Sequence, residues 1–205
     1  RYTAINVGAT LGPLIGLWLG INSSGSAFLF TGLFYLFFSV YLIVFLDPPN
    51  IPSNEKDNKI EMKNIKSVLS KDIKLKYMLL GGVFFMCCYA QLEASLSQHL
   101  ITYFPDGVTL FALLLTINGI SILALQAPAY YLIRKIKSHQ ALMLGCIFFS
   151  IGILGIGLIT PNHSYNMIML ATAMVIISIG EIFIFPVAVT VIDEIAPDSL
   201  RGSYF

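Results

Sequence analysis

The chain has 205 residues, of which 57% are hydrophobic and 11% charged, and 12 Lys and Arg against 11 Asp and Glu leave a net charge of +1. Soluble domains carry about 25% charged residues, so this chain has too little polar surface to remain in water and falls in the membrane class. The balanced charge gives no basic face for nucleic acid, which is excluded as a partner.

Spanning a bilayer takes about 20 mostly apolar residues in helical form. Six stretches reach that length, at residues 2–21, 27–46, 77–103, 108–133, 141–160 and 167–192. Alternating apolar and polar residues are missing, which excludes a transmembrane barrel. The expected fold is therefore all-α, a polytopic bundle of six membrane helices in contact with the lipid bilayer. The chain opens at Arg1 instead of Met and stops at Phe205, which is expected of an internal piece of a longer protein.

The first span holds Gly8, Gly12, Gly16 and Gly20 at every fourth position, with Pro13 among them. Glycines at this spacing line one helix face and let another backbone approach closely, and Pro13 removes a donor and favours a bend. This face reads as a dedicated helix contact. The second span is rich in Phe and Tyr, which read as lipid-facing or packing groups.

Residues 47–76 hold seven lysines and 12 of the 23 charged residues. The first part, DPPNIPSNEKDN, is turn-rich and suits a linker between two bundles. In IKSVLSKDIKLKYM, Ile65, Val68, Leu69 and Ile73 follow helical spacing with lysines mostly elsewhere on the wheel. That pattern predicts a basic amphipathic helix on the membrane surface. The expected division is thus 1–46, two helices closing one bundle; 47–76, a connecting loop; and 77–205, four helices opening a second bundle.

The third span carries an unusual density of polar groups. Gln91, Ser95 and Gln98 form one stripe at i, i+4 and i+7, Glu93 and Ser97 a second pair, and Tyr89 and His99 add further polar tips. In the fourth span, Asn118, Ser121 and Gln126 are candidates for hydrogen bonds between helices. Arg134, Lys135 and Lys137 follow it. Cys87, Cys88 and Cys146 sit in apolar runs without metal-ligand spacing and read as buried structural thiols, so neither metal nor cofactor is expected. The sixth span contains SIGEIFIFP, with Glu181 five residues before Pro186 and Phe183 and Phe185 beside it.

Orientation follows from Lys and Arg in short loops. The basic residues lie at Arg1, in 47–76, at 134–137 and at Arg201, while the first, third and fifth loops have none. One threading satisfies all of them, with both ends and the basic loops cytoplasmic in a multi-pass protein of the cell membrane.

Glu93 and Glu181 alone among the carboxylates lie well inside spans. A charge near the bilayer centre costs about 2.5–3.5 kcal/mol on insertion scales. Each must then face water or a partner, or hold a proton that cancels the charge. By helix rise, Glu181 is about 22 Å from the outer start of its span and Glu93 about 25 Å from the inner start of its own. Glu181 is near mid-membrane and Glu93 in the outer half, so the two are not expected to pair. Both Glu93 and Glu181 are candidates for carrying protons, Glu93 ahead of Glu181, and a structural hydrogen bond is the other reading of Glu181.

Gly8-x3-Gly12-Pro13-x2-Gly16 resembles the fifth-helix antiporter motif of the major facilitator superfamily. Residues 180–202, GEIFIFPVAVTVIDEIAPDSLRG, are similar to the tenth helix and following loop of its drug/proton antiporter and proton-coupled peptide-transporter branches, and AQLEASLSQHL at 90–100 to their seventh helix. The resemblance covers the chain as helices five to ten of twelve. It departs from the pattern where Leu17 replaces a second glycine, and where YYLIRKIKSHQ lacks the Asp and Gly of the family's gating loop. It implies a non-enzymatic secondary transporter that works with protons, a small-molecule substrate and the remaining helices of a longer chain. Seventh and tenth helices line the cavity in that family, which places Gln91, Ser95, Gln98 and Tyr89 toward substrate. Export of small hydrophobic or amphipathic compounds is the first expectation, and proton-coupled import of peptides or similar solutes the alternative. A membrane enzyme or sensor is remote, because no HExxH, paired intramembrane Asp or Ser/His constellation is present.

Overall fold

A computed structural model describes residues 2–22, 25–46, 70–160, 166–197 and 204. The described residues form α1 (Tyr2–Asn22), α2 (Ser26–Phe45), α3 (Ile73–Glu93), α4 (Ser95–Tyr103), α5 (Gly107–Ile133), α6 (Ser138–Gly157) and α7 (Asn166–Ile195). No strand occurs among them. Five stretches are long and apolar enough to cross a membrane, namely Ser26–Phe45, Ile73–Tyr103, Gly107–Ile133, Ser138–Gly157 and Asn166–Ile195. The remaining expected span, the first, is α1, which has a shorter apolar portion, Thr3–Leu19. The expected surface helix around residues 65–69, Arg1, Arg201 and most of the fifth loop lie outside the described residues.

Contacts divide the chain into two units, residues 1–14 with 72–205, and residues 15–71. Within the second unit, α2 has no buried residue, and Phe28 and Ile43 are 80% and 82% exposed. A helix apolar all round and exposed all round is stable only against lipid or further protein.

The first unit is built on α7. Glycines bring α6 against it: a Cβ on Gly180 would stand 2.7 Å from the Phe149 amide nitrogen and 2.8 Å from the Gly145 carbonyl oxygen. A Cβ on Gly152 would meet the Ala173 carbonyl oxygen at 2.9 Å. Small residues allow such approach where the hydrophobic effect gives no drive between helices. Leu100, Leu114, Leu170, Met174 and Ile177 fill one apolar core, and Ile122, Ala141, Ile182 and Val187 a second. The helical run that begins at Ile73 is interrupted at Ala94, which separates α3 from α4. At the turn between α4 and α5, Gly107 lies against the Leu100 carbonyl, and its N–H donates to the Phe104 carbonyl at 3.2 Å.

The ends of these helices are tied by side chains. Asp72 caps α3, its Oδ1 accepting from the amides of Lys74 and Leu75 at 2.9 and 3.2 Å. Its Oδ2 accepts from the Tyr204 hydroxyl at 2.7 Å. Ser138 at the start of α6 donates to Glu194 near the end of α7 at 3.2 Å.

One expectation is corrected here. Cys87, Cys88 and Cys146 are exposed on their helices. An apolar run reports depth in the bilayer, and it does not report that a side chain faces the interior of the bundle.

Candidate functional site

In the middle of α5 and α7, three polar side chains meet among apolar ones. The amide of Asn118 donates from Nδ2 to Glu181 Oε1 and to Ser178 Oγ, both at 3.0 Å. Ser178 Oγ lies 2.8 Å from the Met174 carbonyl and 3.4 Å from the Asn118 carbonyl, so its hydroxyl proton stays on backbone. Ser178 and Glu181 are three residues apart and so share one face of α7. Glu181 is 3% exposed and Ser178 is fully enclosed, and Ile122, Ile177 and Ile182 on the same two helices are buried as well. The sequence reading gave Asn118 an interhelical hydrogen bond, which it makes, whereas Ser178 was not singled out. The Ser-x-x-Glu spacing on a helix was the signal available for it.

The charge balance at this cluster is one-sided. No Lys or Arg occurs in residues 77–133 or 138–200, and among the described residues the group bonded to the Glu181 carboxyl is a neutral amide. A carboxylate here would be a buried charge with no counter-ion, whereas a proton on it leaves a neutral, hydrogen-bonded group.

Between the same two helices a cavity of about 420 Å³ is lined by Gln126, Tyr130, Ile182, Pro186, Val187 and Thr190, among others. Each helix carries a proline at this level, Pro128 and Pro186. A proline inside a helix removes one ladder bond and opens the turn before it.

Glu93 is placed differently. It ends α3 at the Ala94 interruption and is exposed, as are Gln91, Ser95 and Gln98. Ser95 Oγ donates to Gln91 Oε1 across the interruption, and Ser97 Oγ donates to the Ala94 carbonyl at 2.9 Å. No hydrogen bond or ion pair among the described residues joins Glu93 to Glu181. Tyr89 is half-buried one turn before Glu93, its ring 5.6 Å from Phe185 edge-on and 6.2 Å from Phe149. Phe85 joins the same aromatic group. Phe183 is buried and Phe185 half-buried, so neither presents an open face to lipid.

The glycine face of α1 is open. A Cβ added at Gly8, Gly12 or Gly16 would meet nothing within 4 Å, Pro13 is half-buried, and Gly20 lies in the same helix. The contact α1 does make uses another face: Asn6 and Thr10 are buried, Thr10 lies against Gly119, and Thr116 Oγ1 is 3.5 Å from the Thr10 carbonyl. Arg134, Lys135 and Lys137 are exposed after α5, with the Arg134 guanidinium 5.5 Å from the centre of the Tyr130 ring.

Several apolar helices of membrane-crossing length, packed through glycines and holding a buried carboxyl, define a multi-pass helical membrane protein. The particular family follows from its sequence: the model of the Major Facilitator Superfamily matches residues 1–205, and the chain belongs to that family. It is 27% identical over 208 residues to the uncharacterised MFS-type transporter YqjV of Bacillus subtilis (strain 168), covering 100% of this chain and 50% of that protein. It is 26% identical to the uncharacterised MFS-type transporter YttB of the same strain, covering 99% of this chain and 50% of that protein. With the uncharacterised MFS-type transporter YdeE of Escherichia coli (strain K12) it shares 23% identity, across 100% of this chain and 51% of that protein. The chain therefore spans about half the length of the curated relatives it matches. No solved structure matches it significantly.

Proposed function

We propose that this chain is the middle part, helices five to ten, of a proton-coupled secondary transporter that exports small hydrophobic or amphipathic compounds. The observation that carries the reading is the Asn118–Ser178–Glu181 cluster, a buried carboxyl held by neutral groups between two membrane helices. Protonation and release at Glu181 couple to movement because the bare carboxylate is tolerated only where water reaches it. The polar edge formed by Gln91, Glu93, Ser95 and Gln98 contacts the substrate, with Tyr89 among the aromatic groups behind it. Alternating access rocks one bundle against the other around this midplane region, and the open face of Gly8, Gly12 and Gly16 receives a helix of the remaining chain. Residues 1–46 and 77–205 belong to the two bundles, the 47–76 loop and both ends of the chain lie in the cytoplasm, and Arg134, Lys135 and Lys137 act as orientation signals.

The test uses the full-length protein in proteoliposomes, with substrate movement followed with and without an imposed proton gradient. Wild type accelerates under the gradient. Glu181→Gln retains gradient-independent exchange and gains nothing from the gradient. An unchanged response in that variant would remove the proton role from Glu181, and reversed dependence on gradient direction would make the protein an importer.

A further inference from the structure

A cavity lies between the buried carboxyl and the basic end of α5, and its two ends differ in chemistry. Resting on the reading of Glu181 as a proton carrier, we propose that the α5–α7 cavity is the water path between Glu181 and the Arg134 end of α5. Gln126 holds the water in it, and Ile122 and Ile182 form a dry plug that isolates the carboxyl.

The cavity, about 420 Å³, runs beside α7 from Ile182 to Thr190 and beside α5 from Gln126 to Ile133, about 12 and 10 Å by helix rise. One water takes about 30 Å³ in the liquid and needs polar partners to stay in such a space. The lining supplies both room and partners. Gln126 is half-buried there and its amide forms no hydrogen bond among the described residues. Tyr130 brings a hydroxyl, and Thr190 Oγ1 donates to the Pro186 carbonyl at 3.1 Å. Pro186 has no N–H, which leaves the Ile182 carbonyl without its usual helical donor. The Arg134 guanidinium, 5.5 Å from the centre of the Tyr130 ring, lies by the end away from Glu181.

The end near Glu181 is closed by carbon. Asn118, Ile122 and Gln126 follow one another at four-residue spacing on one face of α5, so Ile122 stands between the polar cluster and the cavity. Ile122 and Ile182 are both buried and belong to one apolar core with Val187. Side chains offer the proton no other road. Helix α5 has no acidic or basic residue, α6 only His139 near its start, and α3 only Lys74, Lys76 and Glu93 near its ends. Within α7 the next are Asp193 and Glu194, about 18 Å farther along. A proton leaving the Glu181 carboxyl therefore passes to water, and through water to the solution. An apolar constriction without water stops it while the plug is shut. Parting of α5 and α7 at Ile122 and Ile182 wets the carboxyl, which ties proton exchange to one arrangement of the two helices.

The test follows proton uptake by purified full-length protein in detergent after a rapid pH drop from an alkaline start, read with a pH-indicator dye. Wild type is expected to show a component that Glu181→Gln lacks. Gln126→Leu is expected to slow that component about tenfold with its amplitude kept, the rate effect of one lost hydrogen bond to water. Ile122→Ala is expected to speed it to a similar degree. Ile177→Ala, equally buried one turn to the other side of Glu181, is expected to leave the rate unchanged. Thr190→Cys in otherwise Cys-free protein can be blocked after folding, and its reaction with a charged thiol reagent is expected to slow the component as Gln126→Leu does. A Glu181-dependent component that keeps the wild-type rate in Gln126→Leu, Ile122→Ala and labelled Thr190→Cys overturns the path and leaves Glu181 as the proton carrier. Absence of any Glu181-dependent component in wild type overturns both.

Discussion

At the scale of single residues, Asn118 and Asp72 each hold several partners. Removing the Asn118 amide leaves Ser178 and the Glu181 carboxyl without their shared donor inside an apolar region. Losing a buried hydrogen-bond partner costs about 1–3 kcal/mol. Asn118→Ala is therefore expected to lower the unfolding temperature of the full-length protein in detergent and to weaken its response to a proton gradient. Asn118→Leu should do the same, whereas Asn118→Gln should retain part of both. Asp72 lies outside the spans. The Tyr204 hydroxyl, then the Leu75 and Lys74 amides, hold its carboxyl below the ordinary aspartate range. A folded-state value below the unfolded one gives stability that is present above the unfolded value and disappears as pH falls through the folded value. Tyr204→Phe should thus unfold earlier than wild type near neutral pH. The gap between the two should narrow only as pH falls through the folded-state value of Asp72, below the ordinary aspartate range, and close once the carboxyl is protonated in both states.

At the scale of helices, the glycines separate into two groups with opposite expectations. Gly180 and Gly145 sit where α6 and α7 touch backbone to backbone, and a Cβ on Gly180 would stand 2.7 Å from a backbone nitrogen that cannot move aside. Gly180→Ala is expected to destabilise by about 1–3 kcal/mol, as overpacking does, read as a lower unfolding temperature. Gly8, Gly12 and Gly16 have open space beside them, so Gly12→Ala should leave unfolding within this chain unchanged. Gly12→Leu should still slow transport if that face receives a helix from the rest of the protein. The sequence marks both sets as glycines in apolar spans and cannot separate them, because facing is decided by packing partners distant in the chain. The same limit explains the cysteines. Where every helix face is apolar, the pattern along the chain reports membrane depth and leaves out which side looks inward. Glu181 stood out in the sequence as a carboxylate in an apolar run. Its partner Asn118, 63 residues earlier, could be marked as polar but not matched to it before the helices were assembled.

At the scale of the whole molecule, the helical membrane class and five of the six spans were legible from apolar length alone, because the bilayer sets that length. The family was legible from the glycine-proline motif and the GEIFIFP stretch, and the match over residues 1–205 bears it out. The expected threading makes its own prediction. In Cys-free full-length protein, Lys135→Cys should react with a membrane-impermeant thiol reagent only from the cytoplasmic side, and Asp106→Cys only from outside. The opposite pattern would invert the orientation. The most direct test of the central claim is proton release by purified full-length protein in weakly buffered solution when a transported compound is added. Wild type is predicted to release about one proton per substrate bound, as linked binding at one carboxyl requires, and Glu181→Gln none. Equal proton release by both proteins would contradict the account.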